Sequence, residues 1–177
     1  EETGKLINDA INLSASNNTG MGESIGKKII DIKAPYKNLS ILATAYLLNI
    51  PATVHVAIGT DIIHQHPEAN GAAIGKSSFI DFKIFANEIS KLEGGVLLNC
   101  GSAVIMPEVF LKAISISRNL GYKVNKFTAV NFDMIQHYRP VTNVLTRPTQ
   151  KGGKGYAITG HHEIMIPLLA QAVIERL

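Results

Sequence analysis

Apolar residues in this chain recur with two periods, one helical and one extended, and the switches between them predict its elements. From Thr3 to Ala15, Leu6, Ile7, Ala10, Ile11 and Leu13 fall at helical spacing, and Asn17-Asn18-Thr19-Gly20 then halts the helix. A second helix runs from about Glu23 to Ile32 with Ile25, Ile29 and Ile30 on one face. Ala34-Pro35-Tyr36 ends it, because proline disfavours helix in the residue before it. A third covers Ser40 to Leu48. After Pro51, the run Ala52-Thr53-Val54-His55-Val56-Ala57-Ile58 is rich in β-branched residues and suits a strand buried on both faces, with Gly59 as its stop. A polar loop from Thr60 to Gly75 leads to a helix from about Ser78 to Leu92, with Phe79, Phe82, Phe85, Ile89 and Leu92 turned toward a sheet. Then come a strand, Val96 to Asn99, and a helix from about Ile105 to Asn119 that Gly121 caps in left-handed conformation. A further strand, Lys126 to Phe132, an irregular stretch from Asp133 to Gly160 and a last helix from about His162 to Arg176 complete the chain. Strands alternating with helices predict an α/β domain of Rossmann type, residues 1–177 as one unit, with a parallel sheet, right-handed crossovers and helices on both faces.

Composition narrows the classes. At 177 residues, 46% hydrophobic and 18% charged, the chain has the make-up of one ordinary globular domain. Its net charge is +3, but Lys and Arg are scattered with no basic run, so no nucleic-acid partner is expected. No apolar run reaches the roughly 20 residues of a membrane helix, so no membrane partner is expected either. Cys100, the single cysteine, cannot form an internal disulfide, which points to a reducing compartment, the cytoplasm. The chain opens at Glu1 inside a helical pattern, so it is expected to be the C-terminal part of something longer.

In an open parallel sheet, ligands bind beyond the carboxyl ends of the strands. Polar residues gather in those loops here: Gly59-Thr60-Asp61-Ile62-Ile63-His64-Gln65-His66-Pro67, Asn99-Cys100-Gly101-Ser102, Asn131-Phe132-Asp133 with His137 soon after, and Gly160-His161-His162-Glu163. Five of the six histidines fall in them, and His55 is read as a packed or surface residue of its strand. Gly101-Ser102 has two readings, a tight turn in which Ser102 caps the next helix, or exposed amides that hold a phosphate or carboxylate. The histidine clusters supply enough donors for a zinc or iron ion but lack the metalloprotease spacing of two histidines one helical turn apart, and no metal ligand is assigned. Gly152-Gly153-Lys154-Gly155 lacks the Ser or Thr that follows the lysine of a phosphate loop and reads as a flexible lid. Cys100 reads as a small buried hydrophobe.

Taken together, these loops resemble a family. Thr128-Ala129-Val130-Asn131-Phe132-Asp133 is similar to the Thr-Ala-Gln-Glu-Phe-Asp strand end of deoxyhypusine synthase, and Gly160-His161-His162-Glu163-Ile164-Met165-Ile166-Pro167-Leu168-Leu169 to its Gly-Asp-Ala-Thr-Ile-Val-Phe-Pro-Leu-Leu terminus. Ile50-Pro51 followed by Gly59-Thr60-Asp61 resembles the family's Ile-Pro strand ending in Thr-Asp-Gly, and Gly94 to Ser102 its strand into a triple-glycine turn. The likeness covers roughly Ala45 to Leu177 through short motifs.

The resemblance implies a homotetramer that binds NAD at strand-end loops, and a transferase that moves a butylamine group through an imine on an enzyme lysine. It makes Asp61, Gly101, Ser102, Thr128, Ala129, Asp133, His161 and His162 the cofactor-pocket candidates, and Lys154 the nearest remnant of the family's Trp-Gly-Lys. Departures bear on the substrate. The family's acidic run after the strand is replaced by Met134-Ile135-Gln136-His137-Tyr138-Arg139, which argues against a polyamine. His64, His66, His137, His161 and His162 with Arg139 suit an anionic or carbonyl-bearing small molecule instead. On that reading Asp61 orients His64 or His66 as general base, and Ser102 and the amides beside Gly101 hold developing negative charge. Two alternatives stay open, a metal-dependent hydrolase or lyase built on the histidines, and a non-catalytic binding domain.

Overall fold

A computed structural model describes residues 1–177. The chain divides into two compact units, Glu1–Phe85 and Ala86–Leu177. It is a mixed α/β chain with seven helices and one three-stranded parallel sheet, an arrangement compatible with the Rossmann-like class.

Unit 1 is helical. It holds α1 (Glu2–Asn17), α2 (Met21–Asp31), α3 (Ile41–Leu47) and the start of α4 (Gly71–Ser90). The first three match their predicted patterns. Asn18 closes α1 in left-handed conformation, and the Ser40 hydroxyl caps α3 by accepting from Ala43 N–H at 3.2 Å. α4 starts seven residues before the apolar pattern announces it, because Asn70 Oδ1 caps it by accepting from Ala72 and Ala73 N–H. Ile11, Met21, Ala73 and Ile74 form a buried core, with Ile7, Ile25, Val54, Val56 and Ile63 packed against it.

The predicted strand Ala52–Ile58 joins no sheet, and its last residue, Ile58, already lies in a turn. Its backbone is claimed by α4 instead: Val54 N–H donates to Asp81 Oδ2 at 2.8 Å, Val56 N–H to Ser78 Oγ at 3.2 Å, and Ser78 Oγ donates back to Val54 O at 3.0 Å. Donors met by side chains have no need of a neighbouring strand. Asp81 Oδ2 also accepts Gly22 N–H at 3.0 Å, so one carboxylate from α4 serves the amino end of α2, whose N-cap Gly20 has no side chain. Gly22 is required there, since a Cβ would overlap the carbonyl oxygen of Ala52.

Unit 2 carries the sheet: β1 (Val96–Cys100), α5 (Ile105–Asn119), β2 (Thr128–Asp133), α6 (Tyr138–Pro140), β3 (Lys154–Thr159) and α7 (His162–Ile174). The strands are parallel in the order β1-β2-β3, with Val96, Thr128 and Lys154 in one row and Cys100, Phe132 and Ile158 in another. Chain order and spatial order agree, so two crossovers of the same hand fall on one face of the sheet, and right-handed is the rule for such connections. They adjoin there, as Asn143 Nδ2 donates to Glu108 Oε1 at 2.7 Å. The core between them is Phe110, Ala113, Ile114, Ala129, Val144 and Leu145, with Phe110 meeting Phe127 edge to face at 6.1 Å.

Three readings are corrected in this unit. The stretch from Asp133 to Gly160 is not irregular: α6 runs into a π-helical turn, Val141–Thr146, then a 3-10 turn, Pro148–Lys151, and β3. Pro140 and Pro148 masked the helical crossover, and the glycines masked the strand. Gly152-Gly153-Lys154-Gly155 is no lid, because Gly153 N–H donates to Thr149 O at 2.9 Å and Lys154 N–H to Phe127 O at 2.9 Å, so it turns the chain into β3. Cys100 is exposed rather than buried, as the last residue of edge strand β1, on the same side as the exposed Val96 and Leu98.

Candidate functional site

Three of the twelve predicted site residues, Asp61, His64 and His66, belong to unit 1, and nine to unit 2. The unit 1 group builds a loop. Asp61 caps a 3-10 turn, Ile62–Gln65, by accepting Ile63 N–H at 3.1 Å. His64 Nδ1 accepts Gly59 N–H at 3.1 Å and Asp61 N–H at 3.3 Å. Its ring hydrogen therefore sits on Nε2, which is buried without a partner. His66 Nδ1 accepts Glu68 N–H at 3.2 Å in the same manner. The Asp61 carboxylate meets Ile63 N–H rather than either imidazole. The expected carboxylate–histidine base is thus replaced by backbone capping, and both rings have spent the nitrogen a base would use.

In unit 2, Thr128, Ala129 and Lys154 stand at the amino ends of β2 and β3, about 16 Å along the strands from Asp133 and Thr159. Ala129 is fully buried and Lys154 is exposed, without the burial an imine-forming amine needs. These three are separated from the carboxyl ends, where the other six gather.

At the carboxyl rim, Phe132 O accepts twice, from Gly101 N–H at 3.0 Å and from His162 Nε2 at 2.9 Å. A carbonyl only accepts, so His162 donates from Nε2, and in the neutral ring Nδ1 is the acceptor. Gly101 has φ +72°, and a Cβ on it would come within 3.0 Å of His162 Cε1. Glycine is needed twice over, for the left-handed turn and for the ring lying against it. Ser102 Oγ accepts Met106 N–H at 3.1 Å, the capping contact of the two readings given for that residue. Asp133 Oδ1 accepts Ile135 N–H at 3.3 Å, and Gly160 N–H donates to Asp133 O at 3.2 Å, which closes the β3 loop onto β2. His161, the N-cap of α7, and His137 are exposed.

Beneath the rim runs a polar chain that sequence reading missed. Asn99 Nδ2 donates to Ser102 O at 3.0 Å and to Asn131 Oδ1 at 2.6 Å, and Asn131 Nδ2 donates to Gln136 Oε1 at 2.7 Å. Gln136 Nε2 reaches Ile158 O at 3.3 Å, so side-chain amides tie the ends of all three strands together. Asn131 is fully buried, where an unpaired amide would be costly. A signal was present: Val96-Leu97-Leu98-Asn99 and Thr128-Ala129-Val130-Asn131 both put Asn after an apolar strand, and the ladder pairs the two.

Cys100 lies at this end too, and partial burial pushes its thiol above its ordinary pKa, away from a nucleophilic thiolate. In neither unit do three or more His, Cys, Asp or Glu side chains gather as a metal would need. No helix is long and apolar enough to cross a membrane. No protein-family model, no curated protein and no solved structure matches the chain.

Proposed function

We propose that the carboxyl rim of unit 2 is the ligand site of a Rossmann-like, deoxyhypusine synthase-like enzyme that binds NAD and acts on a small molecule. The observation that carries this is the junction of Gly101, Phe132 and His162. A glycine turn leaves a parallel strand just where such folds take ligands, and a histidine with a free ring nitrogen is fixed against it. Gly101, Asp133 and His162 are the groups that would hold the dinucleotide, with His137 and His161 at the rim for proton transfer. Bound there, NAD supplies a hydride acceptor. The rim loops contain no lysine, and Lys154 starts β3 at the other end, so imine chemistry and a polyamine substrate form no part of this reading. The resemblance adds a homotetramer, which a light-scattering mass addresses, and the single cysteine fits work in the cytoplasm.

Calorimetric titration of the whole chain with NAD tests the proposal. The expected result is saturable binding that Gly101→Val abolishes and Lys154→Ala leaves alone, with circular dichroism confirming that both variants fold. A wild-type chain that takes up no NAD ends it.

A further inference from the structure

We infer that the turn and short helix at residues 36–48 of unit 1 form a contact surface for an anionic lipid bilayer, lying on it without crossing it. α3 (Ile41–Leu47) lies close against α2, because a Cβ at Gly26 would overlap the carbonyl oxygen of Leu42 and glycine has none. That approach fixes which side of α3 faces in. Ala43 and Ala45 are buried, while Ile41, Thr44, Leu47 and Leu48 recur at helical spacing on the other side and are exposed. Tyr36 and Leu39, in the 3-10 turn that leads into α3, extend the exposed apolar surface. Tyr36, Leu39 and Ile41 are 77%, 82% and 83% exposed, which leaves large apolar side chains in water unless a partner covers them.

Charge selects the partner. From Ile32 to Thr60 there is no Asp or Glu, and Lys33 and Lys37 flank Tyr36. Lys27 and Lys28 add two charges near the end of α2. None of these four lysines is in an ion pair, with Asp31 or with any other acid. Free lysines beside protruding aliphatic and aromatic side chains suit a bilayer with anionic head groups. There apolar side chains enter by about 5–10 Å and the negative surface potential attracts each lysine. Run length excludes crossing and says nothing of such surface contact. Two other occupants fit less well. A second copy laid face to face would set unpaired lysines against unpaired lysines, with no acid in the segment to answer them. A protein partner would be gripped by a groove, and side chains as exposed as Leu39 and Ile41 are not the walls of one. The surface shares no residue with the unit 2 rim, so its failure leaves the NAD proposal untouched.

Flotation of the whole chain with vesicles tests the inference, using phosphatidylcholine alone and phosphatidylcholine mixed with an equal part of phosphatidylserine. Binding to the anionic vesicles is expected, and added salt should weaken it. Lys33→Ala and Lys37→Ala should each weaken it about fivefold and Leu39→Ser or Ile41→Ser about tenfold, while Lys154→Ala in unit 2 changes it little. Leu39 and Ile41 touch little else in the chain, so their serine variants keep the fold, which circular dichroism checks. Absence of binding to the anionic vesicles overturns the inference, and so does equal binding to both kinds. A loss in Lys154→Ala as large as in Lys37→Ala overturns it too, as a general effect of net charge. If vesicles are not bound and Leu39→Ser lowers the light-scattering mass, the surface belongs to a second copy. If vesicles are not bound and an amphipathic peptide of Glu and Leu is, it belongs to an acidic protein, and either result replaces the bilayer.

Discussion

Asp81 in unit 1 and Glu93 in unit 2 each accept two backbone N–H groups through one carboxylate oxygen, yet their acidities move in opposite directions. Glu93 Oε2 takes Lys126 N–H at 2.9 Å and Asn125 N–H at 2.6 Å in the open, and those bonds hold its carboxyl below the usual range. Asp81 takes Val54 and Gly22 N–H while fully buried, with Oδ1 left without a partner, and burial pushes its carboxyl above the usual range despite the bonds. Desolvation outweighs two hydrogen bonds when water is excluded, and loses to them when it is not. Unit 1 thus keeps a buried carboxyl as a clamp for a segment with no partner strand. Unit 2, whose strands satisfy one another, uses its carboxylate only to trim a loop.

The largest effect is expected where the clamp is removed. Asp81→Ala leaves Val54 and Gly22 N–H unpaired in the core and should cost about 3 kcal/mol or more. Denaturant unfolding with hydrogen exchange at Val54 checks this, and an unchanged exchange rate there would show that the segment is held by other means. Next comes the strand-end network of unit 2: Asn131→Ala strands the amides of Asn99 and Gln136 and should cost about 2 kcal/mol, read from exchange at the β2 amides. A loss seen in unit 1 amides instead would break the division between the units.

Smaller, but most direct for the comparison, is the response to pH. Asp81 has a folded pKa above its unfolded value, so its contribution is fully present below the ordinary carboxylate range and is lost as pH rises through the raised folded value. Glu93 has a folded pKa below its unfolded value, so its contribution is present above the ordinary glutamate range and is lost as pH falls through the lowered one. Melting curves from about pH 3 to pH 7 should therefore show Asp81→Asn flattening a decline toward neutral pH, and Glu93→Gln flattening a decline toward acid. Shifts of the same sign in both variants would refute the burial argument.

The histidines carry the same lesson toward function. In sequence, Asp61-Ile62-Ile63-His64-Gln65-His66 looks as rich in chemistry as Gly160-His161-His162-Glu163. Folding spends the first on backbone donors and leaves the second with a free imidazole nitrogen at a strand end. Periodicity located all the long helices, and α5 to the residue, because helical hydrogen bonds are local and the apolar stripe reports them directly. It located β1 and β2 for a similar reason, as short apolar runs between turn signals. It missed β3, where Lys154, Gly155 and Tyr156 carry no apolar run, and it paired Ala52–Ile58 with a sheet that does not include it.

By itself, then, the sequence determined the long helices, the strands β1 and β2, the mixed α/β class, and the concentration of polar residues after those strands. All of these follow from interactions within a few residues of the chain. Tertiary structure alone decided which extended segments pair, that Thr128, Ala129 and Lys154 lie at the opposite end of the strands from Asp133, and which nitrogen of each histidine is free. Those depend on donors and acceptors brought together from distant positions, and a β-branched run or a histidine reads the same whichever partner it finds.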